Sequence, residues 1–392
     1  MNKIIYPLAS PSWDEKEYDA MQRVIASGMF SMGKEVRSFE KRFAQYFGKK
    51  YAIMVNSGSS ANLVMIAALF FRSDNPLRRG DEVIVPAVSW STTYMPLQQY
   101  GLKLKFVDVD LETLNFDLQD LKNAVTETTR LILAVNLLGN PNDFNEIRRI
   151  IGKKDIILLE DNCESMGAEY DGKMAGSFGL MGSFSSFFSH HISTMEGGIV
   201  VTDDEELYHI MLSIRAHGWT RNLPKSNKVS GIKSDNDFEE SFKFVLPGYN
   251  LRPLELSGAI GQEQLKKLAG FVSQRRKNAE VFNNVVGNIE GIMAQKEIGK
   301  SSYFGFSLII EDDSSNHRDE IIAKLNSRGI ECRPIVGGNF VNNPVIEYFD
   351  YSINSDLTNA RKVDNDGFFI GNHHYDLEKQ IVYFSDLLKS LL

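Results

Sequence analysis

Apolar and polar residues follow two rhythms along this chain. Short apolar, β-branched runs at Tyr51 to Val55, Glu82 to Ala87, Lys103 to Asp108, Leu131 to Asn136, Ile156 to Asp161 and Gly198 to Thr202 read as strands. Longer amphipathic stretches lie between most of them, and two more, Glu15 to Gly28 and Glu35 to Phe47, precede the first strand. Strands interleaved with helices predict an α/β fold with a mostly parallel sheet and helices on both faces. In such sheets ligands sit at the carboxyl ends of the strands.

The rhythm stops between His217 and Pro253, a stretch rich in Lys, Asp, Ser and Asn with Phe238, Phe242, Phe244 and Tyr249 interspersed. The aromatics predict an ordered loop that packs on something; a mobile surface excursion is the alternative. Helices are then expected over Leu254 to Gly270, Val272 to Val286 and near Asn316 to Gly329, with strand-like runs at Tyr303 to Ile310 and Ile330 to Ile335. The chain therefore divides on paper into a large unit, 1–253, and a smaller α+β C-terminal unit, 254–392. No internal repeat or low-complexity segment interrupts either.

Composition narrows the function classes. With 392 residues, 43% hydrophobic and 24% charged, the chain has ordinary globular make-up. A net charge of −8 disfavours a general nucleic-acid or anionic-membrane surface. The longest apolar run, Leu63 to Phe71, is far short of the ~20 residues a bilayer span needs, and the N-terminus lacks a signal-peptide core. A cytoplasmic location is the expectation. Cys163 and Cys332 are the only cysteines, too few for a disulfide framework, a cysteine zinc site or a four-cysteine iron–sulfur cluster, and no metal is expected.

Four segments carry candidate chemistry. Val55 to Asn62 is a strand end, a small polar turn containing Gly58, Ser59 and Ser60, and a helix start. Free backbone N–H groups there suit a phosphate, although Ser and Asn also cap helices for structural reasons alone. Trp90 follows a strand and opens a helix, where its ring could stack on a planar heterocycle or fill the core. Ile156 to Glu164 is a buried-looking strand ending in Glu160, Asp161 and Glu164, and a solvated strand end is the alternative for each acid. The stretch Phe184 to Gly198 holds His190 and His191 ahead of Glu196-Gly197-Gly198.

In this order the segments resemble the sugar aminotransferase branch of the fold-type I pyridoxal-phosphate enzymes. That branch places its cofactor-binding lysine seven residues before the first glycine of a Glu-Gly-Gly, and here the position is His190. Imidazole has no primary amine and cannot form the covalent link, but it can move protons near neutral pH. The resemblance implies the aspartate-aminotransferase-like fold. It also assigns Gly58, Ser59, Ser60 and Ser185 to the cofactor phosphate, Trp90 to a ring face and Asp161 to the ring nitrogen. Asn250, after Gly248-Tyr249, matches the position that reaches the phosphate of the neighbouring subunit, which implies a homodimer with shared sites. Where transaminating relatives commonly have Gln, this chain has Glu164, near the phenolic oxygen by analogy, and its protonation and role are left open.

The segments Ser89-Trp90-Ser91-Thr92-Thr93, Ser189-His190-His191, Arg215 to Asn222 and Glu331-Cys332-Arg333-Pro334 resemble the dehydratase members of that branch, which carry histidine in place of the lysine. That narrower resemblance implies pyridoxal or pyridoxamine phosphate held without a covalent bond. The implied reaction is loss of the C3 hydroxyl of GDP-4-keto-6-deoxy-D-mannose, with L-glutamate as amino donor and His190 as base, in the making of colitose for bacterial O-antigen. Arg333 falls among the implied substrate contacts. His217 and Arg221 have a spacing that suits a substrate anion and a proton, or a solvated loop edge. A nucleotide-sugar 4-aminotransferase is the rival reading, and a non-catalytic cofactor-binding regulator is the rival from another class. The related CDP-sugar deoxygenating enzymes need an iron–sulfur cluster, which two cysteines cannot hold.

Overall fold

The structure, a computed structural model, describes residues 3–311 and 317–392. Strands β1 (Tyr51–Val55), β2 (Glu82–Pro86), β3 (Lys103–Val107), β4 (Thr129–Val135) and β5 (Ile157–Asp161) alternate with helices α3 (Gly58–Leu69), α4 (Ser91–Gln99), α5 (Leu118–Ala124) and α6 (Phe144–Ile151). Helices α1 (Glu15–Ser27) and α2 (Lys34–Tyr46) precede them. A small hairpin, β6 (Glu169–Tyr170) with β7 (Lys173–Met174), leads to β8 (Met181–Ser185), β9 (Gly198–Thr202) and α7 (Glu205–Ile214). The eight-stranded sheet has the order β1-β9-β8-β5-β4-β2-β3-β15, where β15 is Tyr351–Ile353. Strand β9 alone runs against the rest. Strands β5, β8 and β9 are buried along their whole length, as expected of a sheet covered on both faces.

The expected strands and helices of the first 202 residues form with boundaries shifted by a few residues at most, apart from α3, which starts at Gly58 and so takes in the polar turn. Strand β8 was not expected. Its Met-Gly-Ser-Phe-Ser sequence has little strand character, but Gly182 lets the Gly176 backbone come so close that an added Cβ would lie 2.2 Å from its carbonyl oxygen.

The region from 217 to 253 holds a two-stranded hairpin, β10 (Ser226–Asn227) with β11 (Gly231–Ile232), and the one-turn helix α8 (Asp237–Glu240). Trp219, Leu223 and Leu251 are buried, whereas Phe238, Phe242 and Phe244 are exposed. The two helices expected between 254 and 286 are one, α9 (Glu255–Val285), 31 residues long. It runs through Gly270, a cost of about 1 kcal/mol that its packed neighbours outweigh. Gly258 and Gly261 have a positive purpose: a Cβ at either would press on the Val36 backbone or the Phe39 ring of α2.

Beyond α9, strands β12 (Ile292–Ala294), β13 (Gly305–Ile310), β14 (Cys332–Arg333) and β16 (Gly367–Gly371) form an antiparallel sheet in the order β12-β13-β16-β14. Helices α10 (His317–Ser327), α11 (Thr358–Asp366) and α12 (Glu378–Lys389) accompany it. The run expected at 303–310 begins its strand only at Gly305, because Tyr303 has φ 46°, and the run expected at 330–335 pairs over Cys332–Arg333 alone. Asn316, where a helix was expected to start, lies outside the described residues. Two segments cross the division expected at 253/254: Tyr6 is buried in the core of the smaller sheet, and β15 extends the edge of the larger one. No helix among the described residues is long and apolar enough to cross a membrane.

Candidate active site

The carboxyl ends of β1, β2, β4, β5 and β8 open on one cavity of about 550 Å³. Asp161 ends β5. Its Oδ2 accepts from Asn62 Nδ2 at 2.7 Å and from Thr93 Oγ1 at 2.8 Å, and its Oδ1 accepts from the Cys163 N–H at 3.2 Å. Glu160, one residue earlier, points to the opposite face by the two-residue period of a strand. There its carboxylate accepts from the N–H groups of Gly176, Phe178 and Gly179, and it ties down that loop instead of meeting the cavity. Burial raises its pKa, and those N–H donors pull the other way.

The α3 start is a close-built cradle. Ser57 caps it, accepting from the Ser60 N–H at 3.1 Å. A Cβ at Gly58 would sit 2.6 Å from Ser185 Cβ, and one at Gly198 would sit 2.1 Å from the Ser57 carbonyl oxygen. Ser57, Gly58, Ser59 and Ser185 line the cavity. Ser60 does not; its hydroxyl accepts from that of Ser57, so its part is in the cap. Backbone N–H groups at a helix start with hydroxyls beside them make an anion site.

Trp90 is 59% exposed on the cavity wall, an indole with room for a flat ring against it. His190, half-buried, lines the same cavity, and its Nδ1 has no hydrogen-bond partner. The Phe304 ring packs against it edge-on at 5.1 Å. Burial, and then the charge of Arg275, lower its pKa to about 4, so at neutral pH the imidazole is uncharged and able to take a proton. His191 is turned away: it is buried with Nε2 donating to the Ser302 carbonyl at 3.1 Å, and it does not line the cavity. Glu164 accepts from the Leu138 N–H at 3.0 Å. Burial first, and the Asp161 charge after it, raise its pKa to about 7 against that hydrogen bond.

Arg333 stands exposed on the rim of the cavity. The other three polar candidates are not brought to it. Asn250 lies in the exposed loop, its Oδ1 accepting from Arg252 Nε at 3.0 Å. His217, with φ 61°, sets its ring edge-on to Trp219 at 5.1 Å, and Arg221 places its guanidinium over the same indole at 4.3 Å. The structure also adds residues that the sequence did not mark. Asn62 and Thr93 hold Asp161, while Phe304 walls His190 from the far side of the chain. Nothing local distinguishes Asn62 from any other polar residue of a helix. Thr93 stands in the segment Ser89 to Thr93, where the sequence alone gives it no role.

This cavity suits a planar heterocycle that carries a phosphate and has a basic ring nitrogen. Residues 11–381 match the profile of the DegT/DnrJ/EryC1/StrS aminotransferase family. The chain is 63% identical, over 98% of its length and 100% of the relative's, to a GDP-4-keto-6-deoxy-D-mannose 3-dehydratase of Escherichia coli O55:H7. A solved structure of the E. coli GDP-4-keto-6-deoxy-D-mannose-3-dehydratase with bound hydrated PLP superposes with a TM-score of 0.97 at 62% identity, covering 99% of this chain and 100% of that one. Another, with a trapped PLP-glutamate geminal diamine, gives 0.96 at 62% identity over 98% and 100%.

Proposed function

We infer the reaction from one premise: the chain belongs to the DegT/DnrJ/EryC1/StrS aminotransferase family, and its cavity offers His190 where the branch keeps a lysine. We propose that it removes the C3 hydroxyl of GDP-4-keto-6-deoxy-D-mannose, giving GDP-4-keto-3,6-dideoxy-D-mannose. L-Glutamate is the amino donor, and the nitrogen leaves as ammonia. The observation that carries this reading is the wall of the cavity, which presents no lysine among the described residues and one imidazole whose Nδ1 is unpartnered.

The residues present fit pyridoxal phosphate. The Gly58 and Ser59 end of α3 with Ser185 would take the phosphate, Trp90 one ring face and the Asp161 carboxylate the ring nitrogen. When bound, the cofactor supplies an electron sink and, once charged from glutamate, the amine that engages a C4 ketone. His190, neutral before turnover, takes up the proton released in the elimination and can pass it to the departing hydroxyl. Glu164, poised near neutrality, can hold or release a proton beside it. Arg333 on the rim suits the diphosphate of a nucleotide sugar.

In this reading His217, Arg221 and Asn250 serve the partner's cavity in a homodimer, together with the exposed aromatics of the 217–253 loop. The division into 1–253 and 254–392 stays a working one, and the reaction belongs in the cytoplasm, feeding colitose into O-antigen. The test combines protein, pyridoxal phosphate, glutamate and the GDP-4-keto-6-deoxy sugar, and follows products by mass spectrometry. Loss of the C3 oxygen with free ammonia is expected. An amino sugar would make the chain a 4-aminotransferase, and cofactor binding without turnover of any nucleotide 4-keto sugar would make it a regulator.

A further inference from the structure

Arg275, in the second half of α9, is 5% exposed and has no carboxylate in ion-pair range among the described residues. Arg215, equally buried, pairs with Glu40. A buried guanidinium without a counter-charge is costly, so its bonds must return something. Its Nη1 donates to the carbonyls of Tyr303 at 3.3 Å, Phe304 at 3.0 Å and Asn372 at 2.6 Å. The first two belong to a strap, 302–304, whose Phe304 forms part of the catalytic wall.

Ser302 and Phe304 bond the segments that carry that wall. The Ser302 carbonyl holds His191, and the Ser302 N–H donates to Gly139. Tyr303 sits at φ 46°, a strained conformation. The Phe304 N–H donates to the Leu138 carbonyl at 3.0 Å, while its ring packs on His190. Leu138, itself at φ 53°, turns its own N–H to Glu164.

We propose that Arg275 is a positioning residue for the reaction: it pins the strap at its strained residue, and the strap fixes both the packing of His190 and the turn that aims Leu138 at Glu164. This rests on the reading of His190 as the base. The guanidinium charge acts in the same sense, since it ranks after burial among the causes that keep both imidazoles unprotonated. The charged and titratable groups around His190 are Arg275 of α9, His191 beside it, which Arg276 also faces, and Asp161, Cys163, Glu164, Glu196 and Arg333 on the cavity wall.

The test uses full-length Arg275→Met and Arg275→Lys, with two readouts. One is the proton-NMR titration of His190 in the cofactor-free protein, its signal identified by absence in His190→Asn. The other is steady-state dehydration. In Arg275→Met the His190 titration should move up from about 4, and kcat should fall by about 10²-fold with a far smaller change in KM, the scale of a displaced catalytic group. Arg275→Lys, which keeps the charge, should titrate as the native protein does and recover most of kcat. A native titration and native kcat in Arg275→Met would overturn the proposal, as would a shift in Arg275→Lys equal to that in Arg275→Met. Should Arg275→Met not fold, Arg275→Gln decides, because it removes the charge and shortens the reach to the strap carbonyls while keeping an amide donor. A roughly tenfold loss of kcat is then expected, and native kcat overturns the proposal. If the native protein dehydrates nothing, the reaction assigned above is wrong, while the NMR titration still judges Arg275.

Discussion

Asp161 and His190 face the same cavity, yet both oxygens of the carboxylate have donors while the Nδ1 of the imidazole has no partner. The Asp161 side is saturated: Ser183 orients Asn62, Ser89 bonds Thr93, and both secondary partners are themselves buried. The His190 side is open: His190 and Glu164 are shifted toward neutrality, and His190 is walled by aromatic rings. One side is built to hold still. The other is built to change protonation. Binding and chemistry are thus separable by mutation.

His190→Asn sharpens the contrast most. It should cut dehydration by about 10²- to 10⁴-fold, the usual contribution of a general base, while pyridoxal phosphate still binds with native affinity by absorbance titration. Weakened cofactor binding equal to the lost rate would abolish the distinction between the sides. Gly58→Ala attacks the saturated side by forcing a Cβ to 2.6 Å from Ser185 Cβ. It should cost about 1–3 kcal/mol of stability in urea melts and loosen the cofactor phosphate. Thr93→Val deletes one donor to Asp161 and should lower stability by about 1 kcal/mol, with weaker cofactor binding and little effect on kcat at saturation.

The smallest effect is a pH dependence on the open side. The pKa of Glu164 is raised to about 7, so between about 4.5 and 7 the folded state holds a proton that the unfolded state has lost. Its contribution to stability is present below that window and is lost as pH rises through it. Glu164→Gln should therefore gain on the native protein across the window, by on the order of 1 kcal/mol, as read by urea midpoints at pH 5 and pH 8. His190 and His373, both lowered to about 4, act the other way: they destabilise the fold as pH falls from about 6.5 toward 4.

Much of the saturated side was legible before the fold was known, because strand ends, caps and a carboxylate at a strand terminus are local features. The choice of His190 over His191 was legible too, from its register to Glu196-Gly197-Gly198, and the geometry agrees by turning His191 onto Ser302. What stayed hidden depends on contacts between distant segments. Phe304 lies over a hundred residues from His190, and Asn62 reaches Asp161 across a difference of 99 positions. The merged helix α9 was misread for the opposite reason. The expected division falls between Gly270 and Val272, where packing of α1, α2 and the smaller core along the helix decides.

That merger has a mechanical side. At 31 residues α9 is a beam about 46 Å long, with Leu265 and Leu268 set in one core and Ala279 and Phe282 in another. A beam without a joint transmits load. Rocking of the two cores about Gly270 would have to bend this helix, so the rim, with its loops and side chains, is the lighter part to move for a large nucleotide sugar while the frame stands.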